Sequence, residues 1–277
     1  MTKKILLTGA GFTHNFGSPL ASEMSGLIFN AVSSKELRDI LREDFDYESL
    51  YQRVIQSQDY SVEMKHEFSS AVSGAYNKID KLITNRPLSE ILDVGRFVEF
   101  ISWFDKIRGG GFIFSLNQDL LIENHINNHT LYTLQIMLAL QSPIVDVSNS
   151  YANPIASRKF NYIIGDKDVD ETITEFNKKF SKDEASIYYI KMHGSQNWFR
   201  QDDQQIMIIG HGKRDRIKSD KLLAWYADIF KNQLALNDTK LLIIGYGFGD
   251  EHINQEIYNN RDNLSMYVVN PQPFKDL

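Results

Sequence analysis

Apolar positions along the chain follow two rhythms. Short unbroken runs occur at Ile5-Leu6-Leu7, Phe112-Ile113-Phe114, Ile187-Tyr188-Tyr189-Ile190, Leu241-Leu242-Ile243-Ile244 and Met266-Tyr267-Val268-Val269. Runs of that length without polar alternation predict strands of a parallel sheet, the first of them buried. Elsewhere the spacing is helical. Leu20, Met24, Leu27, Ile28 and Val32 predict a helix from Pro19 to about Val32, with Pro19 suited to the first turn. Further helices are predicted at Glu36 to Leu41, Tyr47 to Ile55, Val62 to Ile83 and Leu88 to Ile107, with a break at Arg86-Pro87. That region is too long for a single crossover between strands. It predicts a helical insertion over about residues 34–108 within one domain spanning 1–277. Later segments predict a helix at Tyr132 to Leu140, a strand at Phe160 to Ile164 and a charged helix at Asp166 to Ser181. A short strand at Ile206 to Ile209, a helix at Leu222 to Leu236 and a helix ending near Tyr258 follow. The fold class predicted is α/β: a doubly wound, mainly parallel Rossmann-like sheet with a helical insertion.

The strand ends carry the candidate chemistry. The first strand runs into Gly9-Ala10-Gly11-Phe12, the second into Asn117-Gln118-Asp119, and the third into His193-Gly194-Ser195. The fourth ends in Gly245-Tyr246-Gly247-Phe248-Gly249-Asp250-Glu251-His252 and the last in Asn270-Pro271. In a parallel sheet all carboxyl ends lie along one edge, where ligands bind, so groups far apart in sequence converge there. The opening loop departs from the strict G-x-G-x-x-G fingerprint, because its third glycine falls late, at Gly17.

Composition narrows the class. The 277 residues carry a net charge of −6, which argues against wholesale binding of nucleic acid. There are no cysteines, so disulfides and cysteine-ligated metal sites are excluded, and a cytoplasmic location is expected. No apolar run approaches the ~20 residues of a membrane span. No set of His, Asp and Glu has metal-ligand spacing along the chain, and no metal is expected. Lys213, Arg214, Arg216, Lys218 and Lys221 form a basic cluster that reads as solvated surface, with a phosphate or nucleic-acid contact, or contact between subunits, as the alternatives.

Four stretches together resemble the sirtuin-like family, the silent-information-regulator fold. They are Gly9-Ala10-Gly11-Phe12-Thr13, Asn117-Gln118-Asp119, Lys191-Met192-His193-Gly194-Ser195, and Gly245-Tyr246-Gly247-Phe248-Gly249-Asp250-Glu251-His252-Ile253-Asn254. They occur in the family's order and span nearly the whole chain. The last is similar to the bacterial anti-phage branch. The protein deacylases of the family carry a four-cysteine zinc ribbon, which this chain lacks.

The resemblance implies an NAD+ glycohydrolase that releases nicotinamide and ADP-ribose, depletes NAD during infection, and uses NAD+ as substrate without a metal. It implies homo-oligomers and a partner sensor such as an ATPase or an argonaute. Gly9, Ala10, Gly11 and Phe12 are expected at the pyrophosphate, and Asn15 near the nicotinamide. Gly245, Tyr246 and Phe248 are expected along the adenosine, with Asn270 at its ribose. Asn117 is expected to bind the ribose and place water; its alternative role is a turn residue at a strand end. Asp119 is expected to supply negative charge or hold the nicotinamide amide, or else to cap the following helix. His193, with an ordinary pKa of about 6.5, is expected as general base. His14 is a further ligand candidate, and His252 is expected to be structural. The competing reading is a regulatory module that binds NAD or ADP-ribose without turnover.

Overall fold

The computed structural model describes residues 3–85, 96, 99–101, 103–104, 111–122, 136–137, 162–182, 187–202, 204–210 and 212–270. Its centre is strand β1 (Lys3–Thr8), whose Ile5, Leu6 and Leu7 are wholly buried. Unbroken apolar sequence there reflects burial on both faces. After β1 come α1 (Ala10–His14), α2 (Ala21–Ala31), α3 (Lys35–Glu43), α4 (Tyr47–Gln56) and α5 (Val62–Asn85). Then follow β2 (Phe112–Ser115), β3 (Ile136–Met137), β4 (Tyr162–Ile163), α6 (Asp166–Lys182), β5 (Ile187–Lys191), β6 (Gly194–Phe199) and β7 (Gln205–Met207). The last elements are α7 (Lys213–Ser219), α8 (Lys221–Leu234), β8 (Thr239–Ile244), α9 (Glu251–Asn259) and β9 (Leu264–Val269).

The main sheet has the order β3-β5-β2-β1-β8-β9, and every pairing in it is parallel. Two cores lie on its two faces. On one, Leu6, Ile113 and Tyr189 pack with α2, α3, α4 and α5 through Ile28, Leu41, Leu50 and Val72. On the other, Ile5, Leu7, Phe114 and Leu241 pack with α6, α8 and α9 through Val169, Phe230 and Ile253. Helices on both faces of a parallel sheet make the fold doubly wound and Rossmann-like. The chain leaves β1 through β2 toward β5, then returns to β8 on the other side of β1. The order therefore reverses between β1 and β8, the position at which such sheets form a ligand crevice.

Three local expectations change. Ile136 and Met137, expected within a helix, extend the sheet beside β5. Pairing with an open sheet edge overrides their helical spacing. Gly194–Phe199, read as a strand-end loop, is itself a strand, in a small second sheet ordered β4-β6-β7. Gly194 makes this turn possible: its φ is +77°, and an added Cβ would lie 2.0 Å from the Ile206 carbonyl oxygen. The expected break at Arg86-Pro87, most of the helix from Leu88 to Ile107, and most of residues 127–161 lie outside the described residues. No helix among the described residues is long and apolar enough to cross a membrane.

Candidate active site

A cleft of about 340 Å³ opens at the carboxyl edge of the sheet. That is within the range of small-molecule sites. Gly9 and Ala10 after β1, Asn117 and Asp119 after β2, His193 after β5, and Gly245 and Tyr246 after β8 all line it. The helices after β1 supply the facing wall: Met24 from α2, Tyr47 and Glu48 from α4, and Tyr76 and Ile79 from α5.

One half of the cleft is built by backbones in contact. The Gly9 amide donates to the Ile244 carbonyl at 3.0 Å, and the Gly11 amide donates to the Gly245 carbonyl at 2.9 Å. Gly245 has a φ of +64°, and a Cβ there would stand 2.1 Å from the Phe12 amide nitrogen. These glycines lock the β1 loop to the β8 loop. The Phe12 amide donates to the Gly9 carbonyl, and the Phe12 side chain packs in the core against Phe16. Gly11 and Phe12 thus spend their N–H groups inside the protein, and Gly9 and Ala10 are the members of that group that line the cleft.

The expected peripheral ligands sit differently. Exposed Asn15 donates back to the Gly11 carbonyl at 3.0 Å. The His14 ring is 2.8 Å from the Ser18 carbonyl oxygen, and its Nδ1 can donate there. The Phe248 ring lies tilted against Tyr246 with centroids 4.8 Å apart, and Asn270 reaches the Tyr246 carbonyl at 3.4 Å. Tyr246 itself lines the cleft and is anchored by its hydroxyl, which donates toward Asn254 Oδ1 at 2.9 Å and accepts from the Asp250 amide at 3.1 Å.

The other half is polar and buried. Asn117 donates through Nδ2 to the Gly9 carbonyl at 2.9 Å and to Thr13 Oγ1 at 3.3 Å. A carbonyl only accepts, so the amide orientation is fixed, and what Asn117 can offer a ligand is its acceptor oxygen. Asp119 accepts from the Leu121 amide at 3.0 Å, the capping role foreseen as its alternative. It also faces the cleft, and burial holds its pKa above the ordinary carboxylate value against the opposing charge of Lys191. Lys191 is 1 % exposed and donates to the Gln118 and Asp119 carbonyls and to Ser195 Oγ. The lysine of the K-M-H-G stretch therefore shapes the Asn117-Gln118-Asp119 turn from beneath.

His193 is 1 % exposed. Burial pushes its pKa down to about 3; Asp250 opposes that shift while Lys213 and His252 add to it. The expectation of a base titrating near neutrality is thus revised: this imidazole is neutral there and weakly basic, because burial disfavours its cation. Its Nε2 is 3.2 Å from His252 Nε2.

Sequence reasoning overlooked two groups. Lys213, assigned to a solvated basic cluster, is turned inward. Its ammonium is 2.7 Å from Asp250 Oδ1 and 3.0 Å from Glu48 Oε2. Desolvation lowers its pKa, but the two carboxylates outweigh that and raise it. Asp250 is raised by burial, yet His193 and Lys213 bring it below its ordinary value. His252, read as structural, meets His193. Glu48, Asp250 and Lys213 sit at separations that carry no sequence signature, whereas Asp250 and His252 stood in the quoted Gly-Asp-Glu-His stretch.

No protein-family model matches the chain, and no curated protein matches it significantly in sequence.

Proposed function

We propose that this protein is an NAD+ glycohydrolase that releases nicotinamide and ADP-ribose, acting as an NAD-depleting effector in anti-phage defence together with other copies and a sensor partner. The observation that carries the reading is the meeting of Asn117, Asp119 and His193, from two separate strand ends, on one cleft beside the Gly9 and Gly245 loops. Nicotinamide leaves as a neutral molecule and needs no protonation. The barrier lies in the oxocarbenium-like ribose that forms as the C1′–N bond breaks. The Asp119 carboxylate would support that charge electrostatically. The acceptor oxygen of Asn117 would orient a water or a ribose hydroxyl. Water then attacks C1′, and its proton passes to the His193 imidazole, which is already neutral. Attack on so electrophilic a carbon demands little push, so a weak base suffices late in the step.

The regulatory-module reading draws on one specific observation: the Nε2 of His193 is engaged by His252. Nicotinamide release from NAD+ by the purified protein, at several protein concentrations, separates the two. Turnover by the wild type that falls about 10²-fold or more in His193→Ala and Asn117→Ala supports the hydrolase. NAD+ binding without turnover, unchanged in both variants, supports the module and overturns the hydrolase.

A further inference from the structure

The cleft wall contains a donor set of which the proposed hydrolysis uses only His193. His193 comes from the end of β5, and Asp250 and His252 from the head of α9. One ligand atom from each lies within 4.8 Å of the other two. The two imidazoles meet Nε2 to Nε2 at 3.2 Å. Two nitrogens bound to one tetrahedral zinc sit about 3.4 Å apart, given Zn–N bonds of about 2.0–2.1 Å. The observed spacing agrees within a few tenths of an ångström.

The surroundings support the same arrangement. Lys213 holds Oδ1 of Asp250 at 2.7 Å, which fixes the carboxylate and leaves Oδ2 for an ion. Glu48, Asp250 and Lys213 stand beside the two imidazoles, and Arg214 is a further cation acting on His252. Two imidazoles and one carboxylate select a transition metal over magnesium or calcium.

We propose that His193, His252 and Asp250 bind one divalent transition-metal ion, with Zn2+ as the model, and that the ion silences the hydrolase by occupying His193 Nε2. The second clause rests on the hydrolase reading; the first does not. The binding experiment titrates the metal-free protein with Co2+, followed by visible absorption, and with Zn2+ by calorimetry. The expected result is one ion per chain with the intense bands of a tetrahedral or five-coordinate cobalt site. His252→Ala should lower affinity at least about 100-fold. His252→Gln, which keeps more of the packing, should lose the same bands with its circular dichroism unchanged. No stoichiometric binding, or equal binding by wild type and both variants, overturns the site, and the two rings then share a proton instead. Nicotinamide release is measured separately on wild type with Zn2+ and again after chelation. Inhibition at one equivalent that chelator reverses supports the second clause; full activity with the site filled overturns it. A wild type inactive in both states but showing the cobalt bands overturns the hydrolase reading and leaves the metal site standing.

Discussion

The two halves of the cleft are held by opposite means. Where the β1 and β8 loops meet, the structure depends on missing side chains: Gly9, Gly11 and Gly245 bring backbones into contact, and the Gly9 and Gly11 amides donate to the Ile244 and Gly245 carbonyls. Where the β2 and β5 loops and the head of α9 meet, it depends on buried polar side chains: Asn117, Asp119, Lys191, His193, Asp250 and Lys213. The first half is held by backbone hydrogen bonds that need no side chain. The second keeps charged groups out of water, an arrangement that costs stability unless every partner is present. One half is therefore held by backbone and the other by polar side chains, although both stood out in the sequence as loops at strand ends.

The sharpest way to break the comparison is Gly245→Ala. Its Cβ would press on the Phe12 amide nitrogen at 2.1 Å and on the Gly11 carbonyl carbon at 2.3 Å, in a left-handed conformation. Neither neighbour is a flexible side chain. A loss of about 3 kcal/mol or more is expected in urea unfolding. Gly247→Ala is the control, since a Cβ there meets nothing within 4 Å; its stability should stay within about 0.5 kcal/mol of wild type. Equal losses at both positions would show that the loop contact is not what the glycines serve.

Lys213→Met tests the polar half with a smaller effect. It removes the cation between Glu48 and Asp250 and leaves Asp250, with 12 % side-chain exposure, without its main partner. A loss of about 2–3 kcal/mol is expected, below that of a fully dry pair because the Glu48 side chain is 34 % exposed. Adding Asp250→Asn should recover part of it, as coupled neighbours do. A single-variant loss under about 0.5 kcal/mol would mean that water screens the pair, and the contrast between the two halves would fail.

How much of this was legible in the sequence follows the same division. Uninterrupted runs such as Ile5-Leu6-Leu7 announced a sheet covered on both faces, and parallel strands bring their ends to one edge without further information. So Asn117 and His193 could be placed on one edge from more than 70 residues apart. The misjudged positions are those where a tertiary partner decides. Ile136 and Met137 are strand because β5 offers an open edge. Lys213 looked like one more basic residue beside Arg214 and Arg216, but Glu48 and Asp250 draw it inward. The basicity of His193 was misjudged for a related reason: its depth beneath the surface is a property of the packing around it, not of its neighbours in sequence.

The smallest predicted effect isolates the cost of buried charge in the polar half. Burial raises the pKa of Asp119 in the folded protein, and the Lys191 charge only partly opposes it. A folded pKa above the unfolded one means that the folded state binds the proton more tightly. The stability linked to that proton is fully present below the ordinary carboxylate pKa of about 4 and is lost as pH rises through the raised folded value. Above that window the burial of Asp119 therefore weighs against the fold. Asp119→Asn keeps an oxygen to accept from the Leu121 amide and carries no charge. Its melting temperature should match wild type near pH 4 and exceed it at pH 7 by on the order of 2–4 °C, while nicotinamide release falls. A variant that melts below wild type at pH 7 would show that attraction to Lys191 outweighs desolvation, and that this half of the cleft is stabilised by its charges.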